Sequence, residues 1–254
     1  MINKAYIRFR ENLPDNPNTF AAAEGFSQRG AEIVPFYGFG DLETFKDVGP
    51  ETIVCGNIGD VWAALKALNV EIPPPVDYPE HLNWMFGREI SRATLGEIRN
   101  STKIRFVKPT TQKLFTGFVW DPHDPRCRLN VAVYPDETQC WTSNVVEFVS
   151  EWRCFVRNKE VIGVKHYKGD WSKSPKKLIL EKAVSDSNTC GLMPDAYSVD
   201  AGVTANGQTL LVEVNEGYAL GHYGLASILY AGFLETRWKQ LTLGVSVLQE
   251  PRQE

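Results

Sequence analysis

The sequence predicts an α/β N-terminal part followed by an α+β part rich in antiparallel strands. Three observations carry that expectation. Strand and helix signals alternate through the first hundred residues, a dense run of β-rich segments follows, and an Asn206-Gly207 pair separates two β-rich stretches near the end. Alternation of strand and helix is the pattern of a layer with partly parallel strands, whereas closely spaced strands with turn signals favour antiparallel pairing.

Taken in order, "AYIRFR" is a short strand, and "NPNTFAAAEGFSQRG" offers capping residues, an alanine-rich interior and Gly30 as a stop. "AEIVPF" and "ETIVCG" read as two more strands. "GDVWAALKALN" reads as a helix capped by Asp60, with Val61, Ala64, Leu65 and Leu68 at amphipathic spacing. "EIPPPVDYPEHLNW" is a proline-rich crossing, too broken for a regular element. A helix is expected over "GREISRATLGEIRN", with Ile90, Leu95 and Ile98 on one side. Six strands should follow, "KIRFVKP", "KLFTGFVW", "RLNVAVY", "SNVVEFV", "EWRCFVRN" and "EVIGVKHY". A hairpin around "ANGQ" and a helix over "YGLASILYAGFLETRWKQL" close the chain. The boundary between the two parts is expected near residue 100.

Composition excludes several classes. The 254 residues carry a net charge of −4 and 43% hydrophobic residues, ordinary values for a globular protein and unsuited to capturing nucleic acid or an anionic membrane. No apolar run approaches the roughly 18 residues of a spanning helix, and "MINKAYIRFREN" lacks a signal-peptide core. Five scattered cysteines, an odd number without a C-x-x-C pair, argue against a disulfide framework or a zinc site. The expected setting is the cytoplasm, without a nucleic-acid or membrane partner.

The hairpin carries the chemistry. Asn206 and Gly207 both tolerate the positive φ of a two-residue type I′ turn. If they form the loop, Asp200 lies opposite Glu213, and Asn215 shares Glu213's face because strands repeat every two residues. Like charges directly opposed on a sheet are destabilising. Two carboxylates and an amide, oxygen donors only, suit a hard cation such as Mg²⁺. The competing reading is a solvated face whose acids point into water. The apolar run "LLVEV" argues against so exposed a ribbon.

The stretch "YSVDAGVTANGQTLLVEVNEGYALG" resembles the final metal-binding hairpin of ATP-grasp enzymes, where an Asp and a Glu-x-Asn hold magnesium. "VVEFVSEWRCFVRNKEVIGVKHYKGD" resembles the adenine-binding hinge and following strands of that superfamily, and is especially similar to the ribosomal-protein glutamate ligases. "IRFVKP" looks like the strand bearing the first ATP-binding lysine. The resemblance, closest to a compact bacterial and phage subfamily, spans about residues 100 to 240. It implies a Rossmann-like pre-ATP-grasp domain over 1–100. ATP-grasp lobes would follow over 101–254, the small lobe to about 146 and the large lobe from 147.

Carried over, the resemblance implies that Lys108 reaches the nucleotide phosphates, that Glu147, Phe148 and Val149 form the hinge, and that Glu151 accepts from the ribose. Arg153 and Lys165 would serve the phosphates or an acyl phosphate, and Asp200, Glu213 and Asn215 would hold Mg²⁺. Two departures stand out. Ser198 occupies a position that is arginine in many relatives, so Lys165 or Lys168 is expected to substitute. The glycine-rich flap is reduced to "TTQKLFTGFVW", leaving its work to Lys113 and Thr116-Gly117. The implied activity is ATP-dependent ligation of a carboxylate to an amine on a small-molecule, peptide or protein substrate. A phosphotransferase, or a nucleotide-binding module that has lost ligation, are the alternatives.

Overall fold

A computed structural model describes residues 1–38 and 47–243, which build three sheets. The first contains β1 (Lys4–Arg10), β2 (Leu13–Pro14), β3 (Glu32–Phe36) and β4 (Thr52–Cys55), with helices α1 (Pro17–Gln28) and α2 (Ile58–Ala67). β1 is central: β3 and β4 flank it in parallel, with Ala5 opposite Ile33 on one side and Ile53 on the other. Asn16 starts α1, its side chain accepting from the amides of Asn18 and Thr19 at 2.9 and 3.2 Å, with Pro17 in the first turn. For α2 the cap is Asn57 and not the expected Asp60. Asp60 lies three residues further on and accepts from the Asn57 amide at 2.7 Å, the returning half of a capping box.

The second sheet has the order β5-β8-β6-β7, all antiparallel: β5 (Ile90–Thr94), β6 (Arg105–Pro109), β7 (Phe118–Trp120) and β8 (Gln139–Ser143). Here the sequence expectations need correction. "GREISRATLGEIRN" is not one helix but β5 followed by α3 (Leu95–Arg99). Thr94 is the reason, since its hydroxyl caps the Glu97 amide at 3.2 Å while Glu97 accepts from Thr94, so the helix starts only there. "RLNVAVY" is not a strand. Asp124 caps Arg126 at 3.0 Å and Pro125 sits in the first turn, which begins α4 (Pro125–Asn130). "KLFTGFVW" is a strand only from Phe118, and after Ser143 the residues "NVVEFV" run outside any ladder. α3, α4 and the sheet bury Leu95, Ile98, Val107, Trp120 and Val131.

The third sheet, order β10-β9-β11-β12, is antiparallel: β9 (Ser150–Arg157), β10 (Glu160–Gly169), β11 (Ala196–Val203) and β12 (Thr209–Glu216). One face packs Val156, Tyr197, Val199, Leu211 and Val214 against α5 (Lys177–Cys190) and a short 3-10 turn, Glu80–Met85. α5 has no counterpart among the sequence expectations. The closing helix α6 (Ser227–Thr242) runs back onto the first layer, burying Tyr230, Phe233, Leu234 and Trp238 in the same core as Ile7, Phe26 and Leu65. α1 and α6 approach so closely that a Cβ on Gly25 would lie 2.0 Å from the Ser227 carbonyl oxygen. No helix among the described residues is long and apolar enough to cross a membrane.

Candidate functional site

The hairpin of β11 and β12 does set Asp200 opposite Glu213, by a route other than the two-residue turn. Thr204 and Gln208 close a loop in which the Gly207 amide donates to Thr204 O at 2.8 Å. Only Gly207 has positive φ, +79°, so the loop is a type I turn followed by a left-handed glycine. That loop pairs Ala201 with Leu211, one residue out of the expected register. A bulge at Val212 restores it, so Asp200 meets Glu213 and Ser198 meets Asn215. Arg88 holds the bulge, its guanidinium donating to the carbonyls of Leu211 at 2.7 Å and Val212 at 3.3 Å.

Register extends this row across the whole sheet. Lys165 lies opposite Arg153, Arg153 opposite Asp200, and Asp200 opposite Glu213. Two cations and two acids thus lie side by side on the face away from α5. Arg153 binds Asp200 through two parallel hydrogen bonds, Nε to Oδ1 at 2.8 Å and Nη2 to Oδ2 at 2.7 Å. Ser198 Oγ and Asn215 Nδ2 each donate to Asp200 at 3.3 Å. Burial raises the Asp200 carboxyl above its ordinary value and Arg153 only partly offsets this. Burial also disfavours the charged Arg153, but Asp200 more than compensates and holds the guanidinium protonated.

Lys108, on β6, closes the row from above. Its ammonium donates to Glu213 Oε2 at 2.7 Å and to Asp77 Oδ1. Burial would raise the Glu213 carboxyl, but Lys108 outweighs it and brings the group below its ordinary value. Asp77, which the sequence reading passed over inside the proline-rich crossing, is 4% exposed. Its backbone forms a two-way bridge to Val214, at 3.0 and 2.8 Å, and its Oδ2 accepts from Trp141 Nε1 at 2.9 Å. It therefore ties the crossing, β12 and the second sheet together at one carboxylate. Neither Asp77 nor Arg88 belongs to a periodic pattern, so nothing in the chain marks them.

Asp77, Lys108, Arg153, Asp200, Glu213 and Asn215 line a cleft of about 710 Å³ between the second and third sheets. Its far end is Glu151, which accepts from Tyr167 OH at 2.9 Å and Lys168 Nζ at 2.5 Å. Tyr167 stacks on Tyr223, ring centroids 4.9 Å apart, and the Arg153 guanidinium lies 4.9 Å from the Tyr223 ring. Phe148 lies flat over Gly202, where a Cβ would come within 2.2 Å of its ring. Val149 is committed within the protein, its amide to Val203 O and its carbonyl to the Asp170 amide, both at 2.8 Å. The backbone of Val145 to Phe148 forms no such bonds among the described residues. Lys113, Thr116 and Gly117 line the cleft from the β6–β7 loop. Lys165 is not among the lining residues, whereas Lys168 is. Glu216 also lines the cleft, but its carboxylate is taken by Arg237 of α6, whose Nε donates to Glu216 Oε2 at 2.6 Å.

No group of three or more His, Cys, Asp and Glu side chains is placed to hold a metal among the described residues. The oxygen set here is two carboxylates and an amide. A family model described as an ATP-grasp domain, the second family of its clade, matches residues 85–233, more than half of the chain. The chain belongs to that ATP-grasp family. It is accordingly an ATP-dependent ligase by class. No curated protein matches it by sequence. Among solved structures it is similar to the D-cycloserine synthetase DcsG, at 13% identity and a TM-score of 0.58, over 92% of this chain and 99% of that one. It is also similar to an L-amino acid ligase from Bacillus licheniformis, 13% identical with a TM-score of 0.57, over 100% of this chain and 78% of that one. A RimK-domain ATP-grasp protein from Sphaerobacter thermophilus has 13% identity and a TM-score of 0.50, over 94% and 100%. At such identity these likenesses establish the ATP-grasp fold, with its mixed α/β layers and antiparallel sheets.

Proposed function

We propose that the protein joins a carboxylate to an amine with Mg-ATP, through an acyl phosphate. The observation that carries this reading is the paired-charge row in the cleft. Asp200 and Glu213 are matched by Arg153 and Lys108, and Mg-ATP offers each of these four groups an alternative partner. Phosphate oxygens suit the two cations, and a hard divalent ion suits the two carboxylates and the Asn215 amide oxygen. The donor set therefore fits magnesium, with Asp200, Glu213 and Asn215 to hold it. When bound, the ion would neutralise phosphate charge.

The residues' own contributions follow from their placement. Lys108 and Arg153 orient and neutralise the phosphates. The open backbone between Val145 and Phe148, with Glu147 among its residues, reads the adenine edge, and the Phe148 ring covers its face. Glu151 takes the ribose hydroxyls in exchange for Tyr167 and Lys168. Lys113 with Thr116-Gly117 closes over the phosphates. Lys168, already in the cleft, is better placed than Lys165 to substitute for the cation missing at Ser198. In the reaction, a carboxylate oxygen attacks the γ-phosphorus and the bond to the β-phosphate oxygen breaks, releasing ADP. An amine nitrogen then attacks the acyl carbon, phosphate leaves, and the amine loses a proton. Positioning and charge do the work, and no protein nucleophile is needed. On this reading the parallel layer is the Rossmann-like pre-ATP-grasp domain, and the small lobe opens at β5 and not at residue 101.

Isothermal titration tests the site. Glu213→Gln keeps the shape but removes the charge shared by Lys108 and the metal, and should weaken Mg-ATP binding at least about 100-fold, some 2.7 kcal/mol. Unchanged binding would falsify the metal assignment. Incubation with Mg-ATP and pooled acids and amines should yield a condensation product by mass spectrometry. ADP with a stable phosphorylated product instead would make the protein a phosphotransferase.

A further inference from the structure

A second cavity, of about 220 Å³, lies between the first layer and α6, apart from the nucleotide cleft. Topology alone makes its position a candidate for a ligand. From β1 the chain passes through α1 to β3 on one side, then returns to place β4 on the other side of β1. The strand order therefore reverses between β1 and β4, and ligands of open parallel sheets bind outside the carboxyl ends of strands at such a switch point. The cavity sits there, lined by Val54 and Cys55 at the end of β4 and by the starts of α1 and α2 at Asn16 and Asn57.

Its chemistry is selective. Ile53, Val61, Leu234 and Trp238 form an apolar wall, each at most 6% exposed. Three of the polar groups nearby are already engaged: Tyr230 OH donates to Leu220 O at 2.5 Å, Trp238 Nε1 to Gly49 O at 2.9 Å, and Asn18 Oδ1 accepts from the His222 amide at 3.0 Å. Lys113 is the one charged residue in the lining, and no Asp or Glu is among the described residues there. Lys113 also lines the nucleotide cleft, so the two spaces adjoin at this residue. Its backbone is left-handed, φ +62°. At about 30 Å³ per water the cavity has the volume of about seven waters, room for one small molecule.

We propose that this cavity binds the acid substrate, a compact apolar carboxylate without an ammonium group, its carboxylate at Lys113. Its role in catalysis rests on the ligase reading above; its binding does not. A carboxylate meets the single cation of the lining, Lys113. An ammonium would find no counter-charge, and an apolar body fills the wall between β4 and α6. The carboxylate end then faces the cleft in which the phosphates are proposed to lie.

Titration of the full chain without nucleotide tests this, using 4-methylpentanoate, leucine and 3-methylbutylamine, which share one branched chain and carry a carboxylate, both charged groups and an ammonium respectively. The acid should bind, and leucine and the amine at least tenfold more weakly. Ala22→Leu and Ile58→Trp fill the cavity from α1 and α2 and should each weaken the acid at least tenfold while leaving Mg-ATP affinity unchanged. Ile58 is half-buried at a helix start, so it tolerates the larger ring if Ala22→Leu does not fold. Lys113→Ala should erase the preference for acid over amine. The proposal is overturned if the amine or leucine binds as well as the acid, if neither filling variant matters, or if millimolar acid does not bind. Because the acid titration contains no nucleotide, failure of the unaltered protein to bind Mg-ATP in its own titration would overturn the nucleotide reading and leave this one standing.

Discussion

Removing one side of the Arg153–Asp200 pair should be among the most destabilising changes available in this protein. Both side chains are nearly out of water, 6% and 2% exposed, and joined by hydrogen bonds of 2.8 and 2.7 Å. Breaking a buried pair by deleting one partner costs about 3–5 kcal/mol, since the other charge is left uncompensated. Against a typical stability of about 5–15 kcal/mol, that is a third or more of the total for many proteins. The two single variants should differ. In Asp200→Asn the guanidinium keeps the Gly221 carbonyl at 3.3 Å and the Tyr223 ring, so the loss should fall at the low end. In Arg153→Met the carboxylate keeps only two donors, both at 3.3 Å, and burial already raises its pKa. An acid with a raised folded-state pKa is destabilising above its ordinary value of 3.8, so the Arg153→Met penalty should shrink as pH falls toward that value. Arg153→Met with Asp200→Asn should cost less than the two singles added. Urea unfolding followed by tryptophan fluorescence reads all three. Single-variant losses below about 1 kcal/mol, the range of exposed pairs, would refute the claim that this pair is dry.

Two other outcomes follow from local geometry. Glu213 has a carboxyl held below its ordinary 4.5 by Lys108 against the opposing effect of burial. Its contribution is therefore present above pH 4.5 and lost as pH falls through the folded-state value, and Lys108→Met should remove that step from the acid limb of the stability profile. Gly25→Ala would put a Cβ 2.0 Å from the Ser227 carbonyl, forcing α1 and α6 apart. A cost of about 1–3 kcal/mol in urea unfolding is expected, and an unchanged midpoint would mean the helices do not pack as described.

How much of this was legible in the chain depends on the range of the interaction. β1, β3, β4, the strands of the third sheet and the helices α1 and α2 follow from local apolar spacing, and α1 also from its caps. The errors, at "GREISRATLGEIRN" and "RLNVAVY", arose where apolar period outweighed capping chemistry: Thr94 and Asp124-Pro125 were readable signals that apolar counting overrode. The Asp200–Glu213 pairing was anticipated, but the turn that suggested it is not the turn that forms. A wider loop shifts the register by one residue and the bulge at Val212 shifts it back. No local pattern encodes that compensation, since the bulge is held by Arg88, more than a hundred residues away. Asp77 was invisible for the same reason. Its meaning arises from Val214, Trp141 and Lys108, none of them near it in sequence.

Asp77 also decides how the charge row can reorganise. Lys108 is shared by two acids of unequal setting: Asp77, with 5% of its side chain exposed and fixed by Trp141 and Val214, and Glu213, with 26% exposed at the cleft wall. If Lys108 turned wholly to a phosphate, Asp77 would remain as a buried charge with one hydrogen bond, a costly state. The economical movement keeps Lys108 on Asp77 and transfers only its Glu213 contact to phosphate, freeing Glu213 for the metal. Asp77 is then an anchor that sets the direction in which Lys108 swings. Asp77→Asn should leave Lys108 with one anionic partner, tighten its hold on Glu213, and raise the Mg²⁺ concentration needed for half-maximal ATP binding about tenfold. A general loosening of the fold would instead weaken ATP binding at every Mg²⁺ concentration. A Mg²⁺ midpoint that does not move would show that Asp77 supports the fold without steering the lysine.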